Sequence, residues 1–483
     1  MSNVLYRTLV LGLLSVLLFL PSGAWGQTNG LFNVRDFGAA GDGTTKDTAA
    51  IQKALDACTQ AGGGTVLLPA GTYLTGSIYL KSNTELKIGA GAVLLASPDK
   101  EDYNAEDVCP QNEAFHEEST SGAHLLLCIE QENVTLSGPG VIDGNSPAFL
   151  LDKDGKYYQP RNLIPWRPSQ MVYFVECQNV RVRDLEMRRA PYWTCFLHGC
   201  TNVMIHGVKI STERSPHTYN GDGIDIDCCR FVTVSDCNID TADDCLTLRA
   251  WDRRLKHPQP TEYVTVTNCV LSTSCNAIRV GVGTGKVRHA VFSNIVIRDT
   301  TIALNLISAW TPCRGVDIED VRFLNFDVTC RKFLYLAYHE THQAQIRNLF
   351  FSGIHGTVDR FPALILGNTD RNIENVQLQD WDLVSRIPGP FLEISHVKDL
   401  NLRNLRIRHE DPTENAEKAA PTATTEPAAP TKPASDSATS TPLKPEIYLG
   451  EVQQLRSSDC EPAVYQMTPP ELEAFHKRAF GRW

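Results

Sequence analysis

Asp222, Asp243 and Asp244 are the residues of this chain whose types and spacing could do chemistry. An Asp-Asp pair alone is ordinarily a solvated turn. A third carboxylate beside it changes that, because three like charges in a small volume repel and at least one proton is then held at raised pKa. Such a cluster needs compensation, either a bound cation or a catalytic use for one protonated acid and one ionised base. Glycoside hydrolysis with inversion needs this division of labour: an acid for the leaving oxygen and a carboxylate that activates water.

Whether the three meet depends on the strands that carry them. The stretch from Asn220 to Gly283 stacks as successive coils when Ile224 lies over Leu246 and Ile278, and Ile226 over Leu248 and Val280. That alternation is what a buried strand face requires. The register places Asp222 in line with Asp244 and Asn276, Asp225 with Thr247 and Arg279, and Asp227 with Arg249 and Gly281. Neighbouring strands lie about 4.8 Å apart, so Asp222 and Asp244 become neighbours with Asp243 beside them. Asp225 and Asp227 are expected to pair with Arg279 and Arg249 across rungs, as structural or substrate-orienting charge pairs. His198, His217 and His257 border the same groove, although an ordinary surface or core role explains each as simply. Trp193 and Phe196, one coil earlier, offer rings to a sugar, with core packing the simpler role for at least one.

The coils belong to a longer series. Asn133-Val134-Thr135-Leu136, Asn179-Val180-Arg181-Val182 and Asn202-Val203-Met204-Ile205 repeat one phrase, continued at Phe231-Val232-Thr233-Val234 and Tyr263-Val264-Thr265-Val266. Related runs follow at Val316, Ile373 and Asp399. A repeat of this size without intervening helices predicts a solenoid of short strands, a parallel β-helix. An all-β sandwich would not return the same phrase once per coil. Near the start, Asp47 is placed as the N-cap of a helix from Thr48 to about Thr59, with Ala50, Ile51, Ala54 and Leu55 on one face. That helix would cover the open end of the stack.

Composition sets the outer limits. The 483 residues are 42% hydrophobic and 21% charged, which excludes a disordered chain and a multi-span membrane protein. A net charge of −11 argues against nucleic acid as partner. Residues 1–26 read as a signal peptide, with Arg7 before an apolar run from Thr8 to Leu20, so an exported, soluble, secreted or periplasmic monomer is expected. Its 15 cysteines are an odd number and their pairing is not legible from spacing. The β-helix is assigned to residues 31–410, a Pro/Ala/Thr-rich flexible segment to 417–444, and a strand and short helix to 445–483. In that last part, Thr468-Pro469-Pro470-Glu471 forms a capping-box pattern.

Several motifs resemble glycoside hydrolase family 28, the polygalacturonases and their relatives. They are Phe32-Asn33-Val34-Arg35-Asp36-Phe37-Gly38-Ala39 with Gly41-Asp42-Gly43, Gly138-Pro139-Gly140-Val141-Ile142-Asp143-Gly144, and Pro191-Tyr192-Trp193-Thr194. Sharpest are Asn220-Gly221-Asp222, similar to the family's Asn-Thr-Asp motif, and Ala242-Asp243-Asp244, similar to its Gly-Asp-Asp motif. The resemblance implies a right-handed parallel β-helix that cleaves α-linked galacturonate-containing chains with inversion. It implies Asp243 as general acid, with Asp222 and Asp244 holding and activating water. Asn220, Arg249, Asn276 and Arg279 are the candidate substrate-binding residues, the substrate a plant cell-wall or related polysaccharide, and no metal or cofactor is expected. Two departures stand out: Asn276 replaces the histidine of the family's Gly-His-Gly segment, and Asn305-Leu306-Ile307 replaces its Arg-Ile-Lys clamp. These departures point away from ordinary endo-polygalacturonase specificity. A calcium-dependent lyase and a non-catalytic glycan-binding β-helix remain the alternatives.

Overall fold

The computed structural model describes residues 30–474 except 105–108, 113–119, 160–162, 213–219, 309–314, 339–342, 387–390, 411–446, 462–463 and 473. The stretches read as signal peptide and as flexible segment therefore lie outside the described residues, as does His217. The strands stack in parallel, each on its equivalent one coil further along. Val172–Val175 pairs with Cys195–His198, which pairs with Ile224–Asp227, then Leu246–Ala250, Asn276–Gly283 and Lys286–Ile307. This is a right-handed parallel β-helix.

The repeated Asn-Val phrase has a conformational cause. Asn133, Asn179 and Asn202 have φ of 57°, 56° and 58°, in the left-handed region that Asn tolerates better than most residues. Their amides also form a ladder: Asn202 Nδ2 donates to Asn179 Oδ1 at 3.2 Å, and Asn179 Nδ2 to Asn133 Oδ1 at 2.9 Å. The valine that follows turns inward. Val134, Val180, Val203, Val232 and Val264 stand in one register and are buried. Further along the interior, Phe292, Phe323 and Phe351 stack with centroids 5.0 and 4.9 Å apart.

The capping helix runs Thr48–Gln60 and buries Ile51, Ala54, Leu55 and Cys58, while Ala50 is only half-buried. Asp47 does not cap it. Its carboxylate instead accepts from the backbone N–H of Ala40 at 2.6 Å and of Gly41 at 3.0 Å, tying the preceding loop to the helix start. At the other end the chain re-enters the ladder. Ile447–Leu449 pairs with Leu392–Ser395, Val452–Glu461 with Val397–His409, and Val464–Gln466 adds a last rung. Glu471 accepts from Thr468 N at 2.8 Å, as a capping box requires, and the end of the helix expected there lies outside the described residues.

Among the described residues the cysteines are all free thiols, and all but Cys275 and Cys460 are buried. Several stack rung on rung, Cys177 Sγ lying 3.5 Å from Cys128 Sγ. No helix among the described residues is long and apolar enough to cross a membrane.

Candidate active site

The register expected for the acidic coils is the one observed. Ile224 faces Leu246 and then Ile278, Ile226 faces Leu248 and Val280, and Asp225 faces Thr247 and Arg279. Just ahead of these strands, Gly223 N donates to Asp244 O at 2.8 Å and Cys245 N to Asn276 O at 3.0 Å, which aligns Asp222, Asp244 and Asn276. The third column is broken. Asp227 faces Arg249, but the ladder shifts after Leu248 and Ala250 faces Gly283. Gly281, expected beside Arg249, has φ of 133° and pairs with Ile307, whose carbonyl would collide with any Cβ there.

Asp222 and Asp244 are each 5% exposed, and Asp243, next to Asp244 in the chain, is half-exposed. Burial, and next the charges of Asp243, Asp225 and Asp244, push the Asp222 carboxyl well above its ordinary range. Its Oδ1 is buried and takes no hydrogen bond from the described residues. Asn276 Nδ2 donates to Asp244 Oδ1 at 2.6 Å, and Arg279 Nε stands 3.9 Å from Asp244 Oδ2.

The Asp243 loop is held by hydroxyls that residue patterns did not single out. Thr241 Oγ1 donates to Asp243 O at 2.7 Å, and Thr273 Oγ1 donates to the same oxygen. Thr212 Oγ1 accepts from Ala242 N at 2.7 Å, and Ser274 Oγ donates to Ala242 O at 2.6 Å. A Cβ on Gly223 would sit 2.5 Å from Cys245 O, so the glycine beside Asp222 lets the two coils approach. Arg167 was also missed. It is fully buried, donates to Pro191 O at 2.9 Å, and reaches Asn220 Oδ1 at 3.5 Å.

The two candidate arginines differ. Arg249 lies between Asp225 at 3.6 Å and Asp227 at 3.5 Å, with its guanidinium 4.4 Å from the Trp193 ring centroid. It thus takes both of the carboxylates that the sequence had divided between two arginines. Arg279 faces Asp244. Trp193 and Phe196 are both buried, packed with Tyr173 and Tyr192. His198 is buried too, its Nδ1 3.1 Å from Tyr173 Oη and its Nε2 3.1 Å from Trp251 O. His257 is tied through its backbone N–H to Glu176 at 2.8 Å.

Asp243, Asp244 and Cys275 bring atoms able to ligate a metal within 4.8 Å of one another. Burial and the carboxylates of Asp244 and Asp243 push the Cys275 thiol well above its ordinary range, and the group mixes one soft ligand with two hard ones. A buried acid, a neighbouring carboxylate with its own donors and a half-exposed third carboxylate are instead suited to moving protons.

A parallel β-helix with three carboxylates gathered across two coils defines a carbohydrate-active class of solenoid. The chain belongs to the glycosyl hydrolases family 28, whose model matches residues 58–404. It is 27% identical over 412 residues to an exo-poly-alpha-D-galacturonosidase of Dickeya chrysanthemi, covering 76% of this chain and 64% of that relative. The chain therefore spans less than two thirds of that relative's length. Two solved structures share the fold. An exopolygalacturonase from Thermotoga maritima has a TM-score of 0.63 at 23% identity, covering 78% of this chain and 91% of that one. A family 28 exopolygalacturonase of Yersinia enterocolitica has a TM-score of 0.64 at 21% identity, covering 90% and 79%.

Proposed function

We propose that the protein is an exported hydrolase of α-linked, galacturonate-containing pectic chains that works by inversion. The observation that carries this reading is the stacking of buried Asp222 on Asp244 with half-exposed Asp243 beside them. Asp243, the most exposed of the three, is placed to give a proton to the leaving glycosidic oxygen. Asp222 and Asp244 hold the attacking water on the other side of the bond, and one of them takes its proton as it attacks the anomeric carbon. The water's oxygen ends on the sugar, and the aglycone leaves with the proton from Asp243.

Arg279, which stands beside Asp244, is the acid-reading cation of this site, and Arg249 is clamped between Asp225 and Asp227. With Asn305-Leu306-Ile307 in place of the family's cationic clamp, ordinary endo-polygalacturonase specificity is not expected. The exo-acting name of the Dickeya chrysanthemi relative supports release from chain ends.

The test is reducing-sugar release from a panel of polygalacturonan, rhamnogalacturonan and short oligogalacturonides, run beside Asp243→Asn. Release of short products by the wild type alone is expected. Equal release by both proteins defeats the acid assignment, and calcium-dependent ultraviolet absorbance in the products would instead make the protein a lyase. Export is tested separately, by N-terminal sequencing of secreted protein, with cleavage before Gln27 expected.

A further inference from the structure

One exposed corner of the solenoid breaks its own rule. On every coil from Asn83 to Gln454 the same corner position lies in the left-handed region, and most of these positions carry Asn or Asp: Asn83, Asn133, Asn179 and Asn202, then Asp320, Asn348, Asn375 and Asp399. Three successive coils carry rings instead. Phe231 and Tyr263 both have φ of 57°, and His289 has 53°. For bulky residues such a backbone is a strained outlier.

Burial does not repay that strain. Phe231 is 48% and Tyr263 45% exposed. Their rings stack on each other at 5.1 Å and 7°, and Tyr263 on His289 at 5.3 Å and 12°, which offsets part of the strain. An amide ladder would stabilise the corner without the strain or the apolar exposure, and this chain builds one on either side.

The rings also end that ladder. Each amide donates backwards, Asn202 to Asn179 and Asn179 to Asn133, and solvent-exposed Asn202 Oδ1 receives no such donor from the next coil. Phe231 has none to give. Tyr263 covers one face of the Phe231 ring, and the Arg230 guanidinium, paired with Glu262 at 2.7 Å, stands 5.3 Å from the ring centroid. On the other side lies a groove of about 480 Å³, lined by Asn133, Asn179, Asn202, Arg181, Met204 and Phe231. Its volume falls in the range of ligand sites. One aromatic wall, a row of amides and an exposed guanidinium on a chain of net charge −11 suit an acidic sugar.

We propose that this groove is a second carbohydrate site, on the strand layer that follows the catalytic one, where Phe231 stacks on a sugar ring of a uronate-containing polysaccharide and Arg181 pairs with its carboxylate. The inference rests on the pectic reading above. The site holds polymer beside the catalytic coils without taking part in bond cleavage.

Phe231→Asn tests it with little danger to the fold, since Asn restores the residue that the neighbouring coils use. In the Asp243→Asn background, retardation in native gels containing polygalacturonate reads polymer binding. Phe231→Asn is expected to weaken it about three- to tenfold, the loss of one stacked ring. Arg181→Gln is expected to weaken binding to polygalacturonate and leave any retardation by neutral galactan unchanged. With Asp243 intact, Phe231→Asn should cleave a short oligogalacturonide at the wild-type rate. Unchanged retardation in Phe231→Asn overturns the proposal, and so does an equal loss on neutral galactan. Loss of retardation in a protein whose wild type cleaves no pectic chain would leave this site standing and remove the proposed activity.

Discussion

Asn276 donates through Nδ2 to Asp244 Oδ1 at 2.6 Å while its own Oδ1 accepts from Asn305 Nδ2 at 2.9 Å. The relay crosses coils and fixes which oxygen of Asp244 is left for a water. It also gives a purpose to both departures from the family pattern, since Asn276 and Asn305 sit where the resemblance placed a histidine and an arginine. Asn276→Ala should lower kcat about 10- to 100-fold, as expected for removing a buried donor from a charged acceptor, with a smaller change in KM. Asn276→Asp, equal in size but repelling Asp244, should lose more. Steady-state kinetics on an oligogalacturonide decides, and an Asp variant as active as the wild type would remove Asn276 from the positioning role.

Removing the proton donor should be costlier and selective. Asp243→Asn is expected to reduce kcat by about 10²- to 10⁴-fold with KM little changed. A substrate whose leaving group needs no protonation should recover most of the rate in this variant. If the activated substrate is cleaved as poorly as the natural one, Asp243 is not the acid. Proton NMR of the first product formed checks the stereochemistry, with the β-anomer expected from an α-linked substrate.

The two buried arginines should separate in their effects. Arg249→Gln leaves Asp225 and Asp227 buried without their shared cation, a change that typically costs about 3–5 kcal/mol. Its signature is a lowered Tm. Arg279→Gln should raise KM for acidic substrates. Thermal melts beside KM measurements distinguish them, and a normal Tm in Arg249→Gln would contradict the clamp.

The site's register was legible because a buried strand face permits only one alignment: once Ile224, Leu246 and Ile278 are stacked, Asp222 and Asp244 have no other place. Arg249 was legible as a partner of Asp227, which it faces, but not of Asp225, which it reaches diagonally; the shift at Gly281 was hidden too, because glycine spacing does not reveal which glycine has positive φ. Asp47 illustrates the same limit. An Asp before a helix is a cap by local chemistry, and only the fold brings Ala40 and Gly41 close enough to compete for its carboxylate. Arg167 and the hydroxyls of Thr212, Thr273 and Ser274 carry no motif at all. They act from neighbouring coils, through contacts remote in sequence.

Asp225 gives the stability a pH dependence that can be read in a melt. It is fully buried, and burial outweighs Arg249 to push its carboxyl up to about 7 from 3.8, with Asp244 and Asp227 adding to the rise. Between those values the folded protein keeps a proton that the unfolded chain has released. The folded state therefore binds more protons there, and stability falls as pH rises across about 4 to 7; the contribution is fully present below 4. Asp222, also raised, adds a slope of the same sign. Carboxylates held below their usual range, such as Asp143 between Arg188 and Arg189, act in the opposite sense at lower pH, but they are common to wild type and variant and cancel in a comparison. Asp225→Asn cannot ionise, so its Tm should decline less than that of the wild type between pH 4 and 7, whatever the two proteins' absolute stabilities. Scanning calorimetry across that range measures the difference in slope, and parallel curves would mean that Asp225 is already ionised in the folded protein.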